Sequence, residues 1–357
     1  MKSFVLRGLA GCAARILLAL GVLLGASPIF AAAKSDGQQA PAAPPAQSPS
    51  GPQTTPRQPS IRVTTELVHL VVTVENKHHE FVTDLAQSDF KILEDGVPQQ
   101  IRFFGRETNL PLRIGLLLDT SNSIRPRLQF EKDAATDFLD RVIRRGQDMA
   151  FLMTFDNEPQ IIQDYTDHLS LLTSAIQDQR AGGGTALDDA ICMASEKLLH
   201  APLPKGPDSD MRRVIVVISD GVDNLSDKAL SDAVDASIRS EAAVYSVSTN
   251  TDWVAVDNPD KPNKYNMDPG DKVLKQFSDQ TGGRVFFPYS VDDLAESFST
   301  IGAELRSQYF IAYAPSNPPV NGQYRQIEVR TDRKGLLVRA RKGYYAAAPG
   351  SGPASGK

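Results

Sequence analysis

Arg113–Ile124 reads R-I-G-L-L-L-D-T-S-N-S-I. Ile114–Leu118 is an unbroken apolar run bounded by turn residues, which fits a strand buried on both faces of a parallel sheet. The run then breaks into Asp119-Thr120-Ser121-Asn122-Ser123, a carboxylate and two hydroxyls at alternate positions. Open α/β sheets place ligands in loops at the carboxyl ends of their parallel strands. Three oxygen side chains converging there point to a hard cation such as Mg²⁺. The same residues also suit a Ser-rich cap for the next helix, and this stretch alone does not separate the two readings.

Downstream of Arg113, strand and helix patterns alternate, which implies βαβ units and a parallel sheet. The spacing predicts a helix from Pro126, with Ala135, Phe138, Leu139 and Val142 on one face and Gly146 ending it. Met149–Phe155 reads as the next buried strand, Glu158–Tyr165 as an antiparallel neighbour and Leu171–Ile176 as helix. Gly182-Gly183-Gly184-Thr185 precedes a helix with Leu187, Ile191, Ala194 and Leu198 on one face. The glycines free the backbone to bring the Thr185 hydroxyl close to a partner. No Lys follows the last Gly, so this is not a phosphate-binding loop. Val214–Ile218 is the most apolar strand and ends in Ser219-Asp220-Gly221-Val222-Asp223-Asn224, which places a second carboxylate, Asp220, at a strand's carboxyl end. Asp188 and Asp189 are expected to open a helix, and Asp223 and Asn224 to act as loop and cap residues.

The rest of the block reads as a helix through Leu230, Val234 and Ile238, a strand Ala243–Val247 and a long polar loop Asn250–Gly270. That loop carries Trp253, the only tryptophan, which serves equally as a recognition surface or as an anchor that packs the loop down. A helix around Val273–Phe277 closed by Gly282-Gly283, a short strand Val285–Pro288 and a final helix Leu294–Leu305 follow.

Both flanks of this block are β in texture. Before it, Val63–Val74 is Val-rich, Asp89–Glu94 enters a tight Asp95-Gly96 turn, and Gln100–Phe104 is the return strand. The paired His78-His79 lies in a hairpin turn without a nearby Cys or third His, a poor metal site. After the block, Tyr309–Ala314, Arg325–Thr331 and Leu336–Arg341 read as strands, and Gly343-Tyr344-Tyr345 ends the fold. Neither flank is large enough for a comfortable sheet of its own. We expect them to pair into one small antiparallel sandwich with the α/β domain inserted. The alternative is that each flank folds separately against the α/β block.

The chain has 357 residues, enough for two domains, and ordinary apolar and charged content. Its formal net charge of −5 gives no general case for nucleic acid. Residues 1–33 read as a secretory signal: Lys2, Arg7 and Arg15, an apolar core Ile16–Gly25, then Pro28 and Ala31-Ala32-Ala33. Removing those three positive charges takes the net charge to −8. The apolar run is short for a membrane span, so a membrane role requires this segment to stay uncleaved. Leu9-Ala10-Gly11-Cys12 resembles a lipoprotein box but precedes the apolar core, and is read as a chance match. Cys192 is then the only mature cysteine, expected to pack on a helix. Residues 34–60, rich in Pro, Gln, Ala and Ser, cannot bury enough surface to offset their ordering entropy and read as a flexible tether. The domain expectation is therefore a signal at 1–33, a linker at 34–60, β segments at 61–107 and 306–346 around an α/β domain at 111–305, and a disordered tail at 347–357. The expected location is periplasmic or extracellular.

Five oxygen side chains stand out: Asp119, Ser121, Ser123, Thr185 and Asp220. D-x-S-x-S, then a Gly-led Thr, then a strand-ending Asp resembles the von Willebrand factor A domain, whose metal-ion-dependent adhesion site (MIDAS) uses these elements in this order. The resemblance covers about Leu112–Leu305. The flanks, S-D-F-K-I-L-E-D-G-V-P-Q-Q-I-R-F-F before the domain and I-E-V-R…V-R-A-R-K-G-Y-Y after it, look like the von Willebrand factor A-related exported proteins common in Acidobacteria. The resemblance implies a Rossmann-like, doubly wound fold. It implies Mg²⁺ or Mn²⁺ bound directly by Ser121 and Ser123 and directly or through water by Thr185, with Asp119 and Asp220 acting mostly through waters or hydrogen bonds. Asn122 stands where many members have Gly; that position is not a ligand.

A first shell of mostly neutral hydroxyls leaves the cation much of its charge and a position open for an outside carboxylate. The expected function is thus non-enzymatic protein binding, through an Asp or Glu on a partner, with no small-molecule substrate. An envelope scaffold with a structural or vacant site is the alternative, and a metal-dependent hydrolase a more distant one. Leu118-Asp119-Thr120-Ser121 resembles the Asp-Thr-Gly of aspartic proteases, but Ser121 replaces the needed Gly. A phosphoryl-transfer site would carry a second Asp where Ser121 stands. A Ser hydrolase needs a base, and neither His168 nor His200 can be tied to the site from sequence.

Overall fold

The computed structural model describes residues 67–106, 109–204, 210–250, 253–254, 264–317 and 322–346. The expected signal, tether and tail, most of the Asn250–Gly270 loop and the Trp253 side chain lie outside them. The chain divides into two units, Met1–Ile61 and Arg62–Lys357, and all described residues belong to the second.

In chain order the elements are β1 (Val68–Asn76), β2 (Phe90–Glu94), β3 (Val97–Gln99), β4 (Ile101–Gly105), β5 (Leu112–Asp119), α1 (Leu128–Val142), β6 (Met149–Phe155), β7 (Pro159–Thr166), α2 (Leu169–Gln177), α3 (Leu187–Leu199), β8 (Arg212–Ser219), α4 (Leu230–Arg239) and β9 (Ala242–Ser248). There follow the two-residue strands β10 (Trp253–Val254) and β11 (Lys264–Tyr265), then α5 (Pro269–Thr281), β12 (Val285–Phe286), α6 (Val291–Leu305), β13 (Tyr309–Tyr313), β14 (Tyr324–Thr331), β15 (Leu336–Arg339) and β16 (Gly343–Tyr345).

The central sheet has the order β12-β9-β8-β5-β6-β7. It is parallel except for β7, which runs antiparallel to β6 as expected. β5 sits between β8 and β6, and all of its residues are buried. That is why Ile114–Leu118 carries no polar residue: both faces meet apolar layers. Leu116 and Leu118 pack toward Phe138, Leu139 and Ile301 of α1 and α6. Leu117 packs the other way, with Phe151, Leu187, Ile191 and Phe277. Each large side chain so buried contributes about 1.5–3 kcal/mol. Half-buried Cys192 lies against this second cluster, and burial pushes its thiol up to about 11, so it stays protonated at neutral pH.

The flanks pair with each other. One antiparallel sheet has the order β15-β1-β13-β4 and the other β16-β14-β2-β3. Each therefore mixes strands from before and after the α/β block. Leu70, Val72, Tyr309 and Ile311 of the first face Phe90, Ile92 and Ile327 of the second across one apolar core. The expected sandwich with an inserted α/β domain is the observed architecture.

Three local expectations are corrected. The return strand after Asp95-Gly96 is not Gln100–Phe104: Val97–Gln99 pairs with β2, and Ile101–Gly105 then crosses to the other sheet and pairs with β13. The alternation of apolar residues could not reveal this switch between sheets. α1 begins at Leu128, not Pro126, because residues 123–127 form turns that shape the loop after β5. It ends when Ile143 becomes extended, and Gly146 only supplies the positive φ of the next turn.

A buried polar hub joins the sandwich to the α/β block. Glu304, near the end of α6 and fully buried, accepts hydrogen bonds from Thr73 Oγ1 of β1 (3.0 Å), Tyr245 OH of β9 (2.9 Å) and Arg339 Nη2 of β15 (2.7 Å). Arg339 also pairs with Glu75, which Arg284 reaches from the α/β side (3.2 Å).

Candidate metal centre

Adjacent parallel strands bring the first and last site residues together. Leu118 pairs with Ile218, so β5 and β8 end side by side. Asp119 is fully buried there. Its Oδ1 accepts from the Ser121 backbone N–H (2.8 Å) and its Oδ2 from the Ser219 hydroxyl (2.7 Å). The first bond bends the chain into the loop that follows. Within that loop the Ser121 and Ser123 hydroxyls stand 2.9 Å apart. Ser121 is buried, whereas Ser123 is exposed.

The Gly-rich loop is stitched to this turn. The Gly182 N–H donates to Thr120 O (2.7 Å), and the Asn122 N–H and side-chain amide donate to Gly183 O (3.2 Å each). Gly183 has φ +79°, and a Cβ there would lie 2.9 Å from Asn157 Oδ1. Glycine is thus required on both conformational and steric grounds. Thr185 follows and is buried. Its N–H donates to Asn224 Oδ1 (2.9 Å), and its carbonyl accepts from Asn224 and Leu225. The β8 loop closes the set. Asp220 is half-buried, with Oδ1 accepting from the Val222 N–H (3.0 Å). Gly221 has φ +77°, and a Cβ there would meet the Gly270 carbonyl at 2.2 Å.

So the structure gathers the loops that carry Asp119, Ser121, Ser123, Thr185 and Asp220. The expected loop and cap residues take those roles. Asp188 and Asp189 sit in the first turn of α3, and Asp223 Oδ2 accepts from the Asp188 N–H (2.8 Å). Asn122 adds the tie to Gly183. His78 and His79 lie in a turn of the sandwich, where His79 Nδ1 is 3.3 Å from Glu75. Among the described residues, no group of three or more His, Cys, Asp or Glu side chains is arranged to hold a metal.

The electrostatics fit a divalent cation. Burial pushes the Asp119 carboxyl up to about 6, and repulsion from Asp220 adds to the rise against the hydrogen bonds from Ser219 and Ser121. Among the described residues its hydrogen-bond donors are neutral, so this buried acid gains no counter-charge from them. Two hydroxyls in contact, either of which can turn its lone pairs outward, and two carboxylates make an all-oxygen donor set suited to Mg²⁺ or Mn²⁺.

Two residues escaped the sequence reading. Ser219 holds Asp119, and its only signal was its place at the end of β8. Glu131 lies on α1 with neither carboxyl oxygen partnered among the described residues, and it is 1% exposed. Burial, then repulsion from Asp119, pushes it up to about 8, with Arg127 opposing. Unfolded, a Glu ionises near 4.3. Across the window between, the folded chain holds a proton that the unfolded chain has released, so stability falls as pH rises. Glu131→Gln should remove roughly 1–4 kcal/mol of that fall between about pH 5 and about pH 8. Urea titrations of both proteins at the two pH values, without added metal, check this.

Residues 114–222 match a family model described as the von Willebrand factor type A domain. No curated protein matches the chain. Similar solved structures include a von Willebrand factor type A protein from Catenulispora acidiphila, with 14% identity over 79% of this chain and 74% of that chain and a TM-score of 0.44. An aerotolerance-related membrane protein from Bacteroides fragilis shares 17% identity over 54% of this chain and 98% of its own, with a TM-score of 0.41. Proximal thread matrix protein 1 from the mussel byssus, with a zinc-occupied MIDAS motif, shares 17% over 59% and 48%, with a TM-score of 0.41. The segment 114–222, which carries all five candidate residues, is thus a match to the von Willebrand factor type A domain.

Proposed function

We propose that this chain is an exported, non-enzymatic binding protein that grips an acidic side chain of a partner protein through Mg²⁺ or Mn²⁺. Asp119, Ser121, Ser123, Thr185 and Asp220 would hold the ion. The bound ion supplies an electrophilic position for a carboxylate from outside. The observation that carries this reading is the contact of the Ser121 and Ser123 hydroxyls at 2.9 Å over a fully buried Asp119. Neutral hydroxyls quench little of a cation's charge, and exposed Ser123 leaves the position open to a partner.

The placement of the histidines argues against hydrolysis. His168 follows Thr166, which pairs with Ala150 near the start of β6, and so lies at the opposite end of the sheet from Asp119. His200 caps the far end of α3. A serine nucleophile at Ser121 or Ser123 has no such base beside it. Export rests on the signal-like residues 1–33. No helix among the described residues is long and apolar enough to cross a membrane.

The test is a pull-down from cell-envelope extract with the full chain, in Mg²⁺ and in EDTA. Capture of a partner in Mg²⁺ that EDTA abolishes is the expected result. A partner retained equally in EDTA would overturn the reading.

A further inference from the structure

A second feature lies beside the metal-site loop. A cavity of roughly 280 Å³ is walled by Arg127, Phe130 and Glu131 of α1 and the turn before it, Ser248 and Thr249 after β9, and Leu294 of α6, among others. That is near the lower end of ligand sites, about 300–1,000 Å³, and suits a molecule of amino-acid size. Its two charges are unusual. Arg127 and Glu131 are four residues apart, a spacing at which opposite charges on a helix normally meet. Here no ion pair joins them. Arg127 Nη1 instead donates to the Thr249 carbonyl, and both Glu131 oxygens are without a partner among the described residues. The remaining wall is largely apolar, from Phe130, Pro288 and Leu294. One small cavity thus presents an unpartnered carboxyl, a cation and an apolar surface. Buried and alone, that carboxyl keeps its proton at neutral pH, and an ammonium beside it supplies the counter-charge that lets it ionise.

We propose that this cavity binds a small zwitterion of the α-amino-acid type, its ammonium on Glu131, its carboxylate on Arg127 and its apolar side chain against Phe130 and Leu294. Each charged contact contributes roughly tenfold to a hundredfold in affinity. The inference is independent of the metal site, and the test keeps the two apart. L-leucine is titrated into the full chain by calorimetry in EDTA, so that no cation can bind its carboxylate. Two probes lack one charge each: 3-methylbutylamine and 4-methylpentanoate. The expected result is saturable binding of L-leucine, at least about tenfold weaker binding of either probe, and a similar loss in Glu131→Gln and in Arg127→Gln. Absence of leucine binding at millimolar concentration, equal binding of either probe to the wild-type chain, or binding unchanged in both variants would overturn it. The comparison of probes on wild-type protein stands even if a variant fails to fold.

Discussion

Mg²⁺ or Mn²⁺ is expected to stabilise the wild-type chain against unfolding, and Asp119→Ala is expected to abolish that effect. A ligand at a hundred times its dissociation constant stabilises the folded state by about 2.7 kcal/mol. The substitution removes one of the two carboxylates of the donor set and the acceptor that bends the loop through the Ser121 N–H. The Ser121 and Ser123 hydroxyls then lose the turn that brings them together. Stability without metal should change much less. Two hydrogen bonds are lost, at about 0.5–1.5 kcal/mol each, but the cost of burying the Asp119 carboxyl goes with them. Thermal unfolding with and without cation reads both quantities. A variant that keeps the cation-dependent rise would show that the ion binds elsewhere. Asp119→Asn separates charge from shape: it can still accept from Ser121, so a comparable loss there assigns the effect to the negative charge.

Glu304→Ala should be the most damaging single change outside the candidate metal centre, costing about 3–5 kcal/mol. The fully buried carboxylate receives Thr73, Tyr245 and Arg339 at once. Its removal strands a phenol, a hydroxyl and part of a guanidinium where water cannot replace the lost acceptor. Glu304→Gln keeps the shape and should cost less. Because Thr73 and Arg339 belong to the sandwich and Tyr245 to the central sheet, the loss should loosen one against the other. Chemical denaturation followed by far-ultraviolet circular dichroism measures the cost. A loss under about 1 kcal/mol would show that apolar contacts alone hold the two parts.

Much of this architecture was legible because its signals are local. The Ile114–Leu118 run reports burial on both faces directly, and the turn from Asp119 to Ser123 follows from residue type and position. The pairing of the two flanks was readable too, since each was too small to close a sheet. What escaped depends on tertiary placement. The sheet switch between Val97–Gln99 and Ile101–Gly105 has no pattern of its own, because both pieces are extended. Glu131 resembles any acid on a helix surface, and only the packing of α1 beside Ser248 and Leu294 makes it a buried, unpaired group. Arg339 and Glu304 are 35 residues apart, and nothing near either in sequence marks the pairing. At the candidate site, residue types named the five oxygen donors, but Ser219 as the support of Asp119 required the register of β5 against β8.

The central claim is that these five side chains form one cation site. Crystals of the chain grown with Mn²⁺, measured at the manganese absorption edge, test it most directly. An anomalous peak is expected among Ser121, Ser123, Thr185 and Asp220, lost in Asp119→Ala. A map with no peak there, or with its peak at another group of residues, would contradict it.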